Sequence, residues 1–207
     1  MIRYLYGTQL EDHGALAGAM FRDRAARPCG LTGAQAHVDA LGWETDACDM
    51  FDPLYVIACD GAGGHAGSLR LLPTVGSPAQ SPAAVHLAPR RIYSPDIWEV
   101  SRPCLSRRAA RGTAGRLMLA VSELGLGLGL KGCIGALDPA VLRGLRRAGW
   151  AGQIMARGVG VMVGQWTFSV ETHDRLCEAT GIPARQSRNW WEVTFGDLST
   201  VPLPVAV

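Results

Sequence analysis

No stretch of this chain approaches the roughly 18 uninterrupted apolar residues of a membrane span, so no membrane passage is expected. The opening, MIRYLYGTQLEDHG, lacks the basic-then-apolar layout of a secretory leader, and the expected location is the cytoplasm. Six cysteines (Cys29, Cys48, Cys59, Cys104, Cys133 and Cys177) form no CxxC pair and no metal-ligand spacing with the five histidines. Neither a metal centre nor a disulfide scaffold is expected; the thiols read as small buried hydrophobes in a reducing compartment. The net charge of +2 gives no overall attraction to a polyanion, so nucleic acid is not an expected partner, although a local basic patch is possible. The glycine-rich run LGLGLGLKG, Leu124 to Gly132, does not sit between a strand and a helix start, so it is not a dinucleotide fingerprint.

What is present suits one domain. The 207 residues are 48% hydrophobic, enough for a sizeable core. Alternation over Met1 to Tyr6 predicts a first strand, and Leu16, Ala19, Met20 and Phe21 predict a helix over Glu11 to Arg27. That helix ends in Arg22, Arg24 and Arg27, which suits its dipole. Cys29 to Asp52 reads as a long connection carrying Asp39, Glu44, Asp46, Asp49 and Asp52, either solvated or paired with the upstream arginines. LYVIAC (Leu54 to Cys59), the turn DGAGG and AGSLRLL (Ala66 to Leu72) predict a hairpin, with Arg70 read as a face-exposed or snorkelling residue. Thr74 to Tyr93 is loop-like. Thr113 to Leu130 predicts a helix, and Cys133 to Leu137 a short strand. Pro139 to Ala148 predicts a helix capped by Asp138, with Arg143, Arg146 and Arg147 outward. Gly160 to Val170 reads as a late strand and Glu171 to Thr180 as a final helix. Residues 181–207 read as a tail whose Trp190, Trp191 and Phe195 dock on the body. The order of elements is α+β with a mixed central sheet.

One stretch concentrates the chemistry. In YSPDIWEVSR, Tyr93 to Arg102, strand parity puts Glu99 and Ser101 on one face and Trp98 and Arg102 on the other. A carboxylate in an apolar, β-prone run is costly to bury without a partner. Glu99 is therefore either a strand-end ion pair on a solvated face or a general base set in a cleft.

Several segments, in order, resemble the acyl-homoserine lactone synthases, the LuxI-type autoinducer synthases. MFRDRA resembles the end of that family's first helix, with Arg24 as its arginine. DACD resembles the E-x-D-x-Y-D signature, placing Asp46 and Asp49 at two acidic positions. DPLYVI with GSLRLLPT resembles the hairpin carrying the strand arginine, here Arg70. IWEVSR resembles the catalytic strand, giving Glu99 and Arg102, with Ser101 between them. LRRAGW and VGQWTFS resemble the C-terminal half, and the likeness leans towards alphaproteobacterial members. The resemblance implies an α/β/α sandwich like the Gcn5-related acyltransferases. It implies joining an acyl chain from acyl carrier protein to S-adenosylmethionine, then lactonisation and release of methylthioadenosine, for quorum sensing. S-adenosylmethionine would be a substrate, with no cofactor or metal. Glu99 would be the base, with Arg24, Asp46, Asp49, Arg70 and Trp43 binding that substrate or ordering the acidic loop. Trp98, Leu119, Ile134, Ala136 and Met162 would wall the acyl pocket. Arg143, Arg146, Arg147 and Arg157 would form a patch for the acidic carrier protein. Lys131 to Asp138 contains no threonine, which leans towards unsubstituted or hydroxylated acyl chains.

The chain also departs from the family's pattern. Pro28 and Ala34 stand where aromatics wall the S-adenosylmethionine pocket, Cys48 replaces a tyrosine, and Trp43 sits too late in an ungapped alignment. Two other readings follow. One is a Gcn5-type N-acyltransferase using acyl-CoA, which would want a glycine loop for the pyrophosphate where this chain has only Arg111, Gly112 and Gly115. The other is a degenerate homologue that binds a small molecule or partner.

Overall fold

The computed structural model describes residues 1–26, 37–76 and 92–196. Its centre is a seven-stranded sheet in the order β1-β4-β5-β6-β7-β9-β8. The strands are β1 (Ile2–Tyr6), β4 (Leu54–Cys59), β5 (His65–Pro73), β6 (Ile97–Leu105), β7 (Gly132–Leu137), β8 (Gln153–Gly158) and β9 (Val161–Thr167). Two short strands, β2 (His37–Val38) and β3 (Glu44–Thr45), pair apart from it. Among the described strands only β6 and β7 run parallel, joined by α2 (Thr113–Gly127). Helix α1 (Gly14–Ala26) covers one face. Helices α2, α3 (Pro139–Arg147), α4 (Val170–Thr180) and α5 (Ala184–Phe195) cover the other.

Covering both faces explains the uninterrupted apolar run LYVIAC. Every residue of β4 is buried; Leu54, Val56 and Ala58 join the α2-side core, while Tyr55, Ile57 and Cys59 pack beneath α1. The glycines of the α2 run serve close packing. A Cβ at Gly125 would lie 2.4 Å from Phe168, and one at Gly127 would lie 2.6 Å from Trp191. Asp138 caps α3 by accepting from the Ala140 N–H, with Pro139 in the first turn, as its sequence predicts. Among the described cysteines, Cys48, Cys59, Cys104 and Cys133 are buried. Among the described residues no helix is long and apolar enough to cross a membrane.

The structure corrects four local expectations. The first helix does not start at Glu11: Gly7–His13 is a 3-10 turn, and α1 buries Ala17, Met20, Phe21 and Arg24, a helical spacing that an arginine completes. Arg24 is thus a buried residue rather than a solvated end charge. The late strand is a hairpin. β8 was hidden by its exposed ends and by a bulge that shifts the register between Ile154 and Ala156. Residues Ala184–Phe195 are a helix, not a tail, with Ser187, Trp190, Trp191 and Phe195 on one buried stripe. Trp191 and Phe195 meet Tyr4 in an aromatic cluster, with centroids 4.3 to 6.3 Å apart. Finally, Arg70 neither snorkels nor faces solvent, being 3% exposed.

Candidate active site

The α1 face of the sheet carries a closed cycle of alternating charge. Arg24 meets Asp49 in a bidentate pair at 3.0 and 3.1 Å. Asp49 accepts from Arg70 at 2.7 Å, and Arg70 donates to both oxygens of Asp46, at 2.5 and 3.1 Å. Asp46 in turn accepts from Arg102 at 2.5 and 2.9 Å. Arg102 lies 2.7 Å from Glu44, and Glu44 lies 3.7 Å from Arg24, closing the ring. Three arginines balance three carboxylates, and no member's side chain is more than 12% exposed. Burying six charges is tolerable only because each has two opposite neighbours.

Distant elements build this ring, and each placement has a local cause. Asp46 caps the 3-10 turn Ala47–Met50, accepting from the Cys48 N–H, while Asp49 accepts from the Asp46 N–H. The two carboxylates are fixed by the turn that carries them. Arg70 on β5 pairs in register with Ser101 on β6, so both point to the α1 face, and Arg70 Nε donates to Ser101 Oγ at 3.2 Å. Simple parity sends Arg102 to the opposite face, and the structure overturns that expectation. The β5–β6 register shifts between Ser68 and Arg70, leaving one extra residue in β6, and Arg102 adopts φ +52°. Such a bulge re-aims a side chain, and the left-handed conformation costs a non-glycine residue about 1–2 kcal/mol. Pro103, with no N–H to donate to the ladder, follows it.

The charges work on one another. Burial alone would raise Asp46, but hydrogen bonds and charge from Arg70, then Arg102, hold its carboxyl well below the ordinary range. Asp49 is likewise held low by Arg70 and Arg24 against burial. The Tyr55 phenol, pushed up by burial and then by Asp49, stays protonated and donates to Asp49 at 2.6 Å. Burial pushes the Cys48 thiol up to about 11; Asp46, Glu99 and Asp49 add to that, while Arg70 opposes it.

Glu99 is 3% exposed on the same face, two residues before Ser101, between Leu72 of β5 and Ile134 of β7 in register. It is buried and does not stand on a solvated face. Trp43 is not in the ring. It stacks on Phe21 of α1 at 5.6 Å, and Phe21 carries the Arg24 guanidinium at 5.2 Å and Tyr55 edge-on. Trp43 is thus joined to the charged ring through Phe21. The expected acyl-pocket residues are split by the sheet. Trp98, Leu119 and Met162 pack in the α2-side core, while Ala136 packs with Val161 and Val163. Ile134 shares the parity of Ala136, so the five do not form one wall. Arg143, Arg146, Arg147 and Arg157 are exposed, as expected. Pro28 and Ala34 lie outside the described residues, as do Arg27 and most of the loop after Thr74. Among the described residues no group of three or more His, Cys, Asp or Glu side chains is placed to hold a metal.

Two members of the site were missed. Glu44 was seen only as one of a row of acids, although its place two residues before Asp46 on an extended segment was a signal. Tyr55 sat inside an apolar strand, and nothing in the sequence marks its phenol for Asp49.

Comparison with known proteins bears on this geometry. The autoinducer synthase family model matches residues 8–168. An acyl-homoserine-lactone synthase of Rhizobium etli is 31% identical over 191 residues, covering 83% of this chain and 86% of its own. The solved structure of BjaI, a CoA-dependent acyl-homoserine lactone synthase with SAM and isopentyl-CoA, has 25% identity and a TM-score of 0.73, covering 88% of this chain and 90% of that one. An N-acetyltransferase candidate from Lactobacillus plantarum, 14% identical with a TM-score of 0.53 over 81% of this chain and 99% of its own, shares the fold alone. The arginines and acids read from the sequence thus close one buried ring inside an acyltransferase fold, and the chain belongs to the autoinducer synthase family, as an acyltransferase of the acyl-homoserine lactone synthase kind.

Proposed function

We propose that the chain joins an acyl chain, delivered as a thioester on acyl carrier protein, to S-adenosylmethionine, for quorum sensing. The observation that carries this reading is the charged ring and the buried Glu99 sharing one face, beside the place where the sheet splits. β6 and β7 stay paired only as far as Val100 and Gly135, while β6 runs on to Leu105 and β7 to Leu137. A substrate on the α1 face could pass an acyl chain through that divergence towards the apolar α2-side core. The amine of S-adenosylmethionine attacks the thioester carbonyl, a C–N bond forms, the C–S bond breaks and the carrier leaves as thiol. Glu99 accepts the proton the amine loses. The substrate's own carboxylate then displaces methylthioadenosine from its γ carbon and closes the lactone. Arg102 and Asp46 are the most accessible members of the ring, at 12% and 11%, and suit the substrate's carboxylate and ammonium.

The donor assignment rests on the exposed Arg143, Arg146 and Arg147 of α3 with Arg157 of β8, a surface suited to an acidic carrier. The likeness to the CoA-dependent BjaI supports acyl-CoA as a second reading. The test supplies purified protein and S-adenosylmethionine with either acyl carrier protein or CoA thioesters, unsubstituted chains first, and follows lactone and methylthioadenosine by mass spectrometry. Glu99→Gln is expected to lower turnover by about 10²–10⁴-fold. Arg146→Glu with Arg147→Glu should weaken only the carrier-protein reaction. Equal loss with both donors would overturn the patch, and no lactone from either would overturn the function.

A further inference from the structure

A second polar chain ties α1 to β5 just outside the ring. His65 opens β5 with its side chain fully buried, and its Nδ1 lies 2.7 Å from Asp23 Oδ2 at the end of α1. Its Nε2 lies 3.0 Å from Ser68 Oγ. A carboxylate only accepts, so Nδ1 carries the proton and Nε2 accepts from the serine hydroxyl. Burial pulls the imidazole's pKa below its ordinary value, against Asp23, so the ring is neutral near pH 7. Cys59 stands opposite His65 across the strand pair, and Asp23 is the charged partner given by α1.

The sequence positions matter more than the titration. Asp23 immediately precedes Arg24, and Ser68 lies two residues before Arg70 on the same face of β5. The link Asp23–His65–Ser68 runs beside the link Arg24–Asp49–Arg70. Both arginines donate to one carboxylate, at 2.7 to 3.1 Å, so a slip of about 1 Å between helix and strand would take one of them out of hydrogen-bond range. We propose that His65 is a positioning residue: it fixes the last turn of α1 against β5 and so sets the spacing at which Arg24 and Arg70 share Asp49. The arrangement has the connectivity of a serine–histidine–carboxylate nucleophile. At 1% exposure, however, Ser68 offers no substrate carbonyl a path to its Oγ, and a covalent role is excluded.

The kinetic arm of the test rests on the synthase reading; the exchange arm does not. His65→Leu removes the tether at similar volume, Asp23→Ala removes its other end on the more exposed side, and His65→Asn keeps a donor for Asp23. His65→Leu and Asp23→Ala should both speed hydrogen exchange at the Asp46 and Cys48 amides about tenfold or more, leaving β4 amides unchanged. Both should raise KM for S-adenosylmethionine several-fold at nearly constant kcat, and His65→Asn should restore both readouts. Unchanged turn exchange and KM, with only a lower Tm and a smaller active fraction, would overturn the proposal. So would an asparagine variant no better than leucine. If the wild type makes no lactone, the synthase reading fails and the exchange pattern still decides this one.

Discussion

Replacing Asp49 by asparagine removes one charge from the ring and almost none of its volume. The carboxylate accepts from both terminal nitrogens of Arg24, from Arg70, from the Tyr55 phenol and from the Asp46 backbone. In the variant, Arg24 keeps only Glu44, at 3.7 Å, as an opposite charge, and three arginines face two carboxylates. The side chains of Arg24, Arg70 and Asp49 are 2%, 3% and 8% exposed, so water cannot screen the excess charge. Breaking a buried pair by removing one partner costs about 3–5 kcal/mol. The lower end suits a site on a short turn that can relax towards solvent, so we expect about 3 kcal/mol. For a chain of this size that is a Tm fall of roughly 6–12 °C. Urea unfolding at pH 7, followed by circular dichroism, measures it, with the midpoint falling and the slope unchanged. Arg24→Gln, alone and combined with Asp49→Asn, closes a double-mutant cycle whose coupling should be about 1–3 kcal/mol. A loss under about 1 kcal/mol with additive single variants would refute the claim that the ring is a cooperative buried unit.

Gly127→Ala should cost about 1–3 kcal/mol and red-shift tryptophan emission, because its Cβ would meet Trp191 at 2.6 Å while Tyr4 and Phe195 hold that indole in place. Gly14→Ala, with nothing within 4 Å, should be neutral or stabilising by up to about 1 kcal/mol, as its thermal midpoint will show. Burial depresses both His65 and His173 below their ordinary value of 6.5, against the carboxylates Asp23 and Glu123. Below that value the unfolded chain binds protons that the folded one does not, so stability should fall as pH drops from 6.5 and be full above it. Melting curves from pH 8 to about 5 should show this slope, and it should flatten when His65→Asn and His173→Gln are combined. A second loss, far more acidic, should follow as Asp46 and Asp49 are protonated through their lowered folded values.

How much of this was legible depends on whether the information is local. The hairpin, α2 and α3 follow from periodicity, glycines and the Asp138–Pro139 cap, which act within a few residues. The helical stripe of Ser187, Trp190, Trp191 and Phe195 was equally local and could have been found, since its spacing is that of a helix face. The split of the acyl-pocket set was also readable. Ile134 and Ala136 share one strand parity, while Cys133 and Leu137 take the other and join the α2-side core. Parity carried along each element separates these sets.

Arg102 is a different kind of case. Its face cannot be derived from alternation, because alternation is what the bulge breaks, and the bulge exists only in the register between β5 and β6. Nor can local pattern choose partners among three arginines and three acids, since opposite charges are interchangeable until the backbone fixes distances. Resemblance supplied Arg24, Asp46, Asp49, Arg70 and Arg102 as a set, without saying who holds whom. The pairing of Arg70 with Ser101 across the sheet, the capping of the turn by Asp46 and the left-handed Arg102 decide it together. Glu44 then becomes necessary: without it Arg102 would face Asp46 alone, and one buried positive charge would be left uncompensated. The member of the site that sequence reading passed over is therefore the one that charge balance requires once the geometry of the others is known.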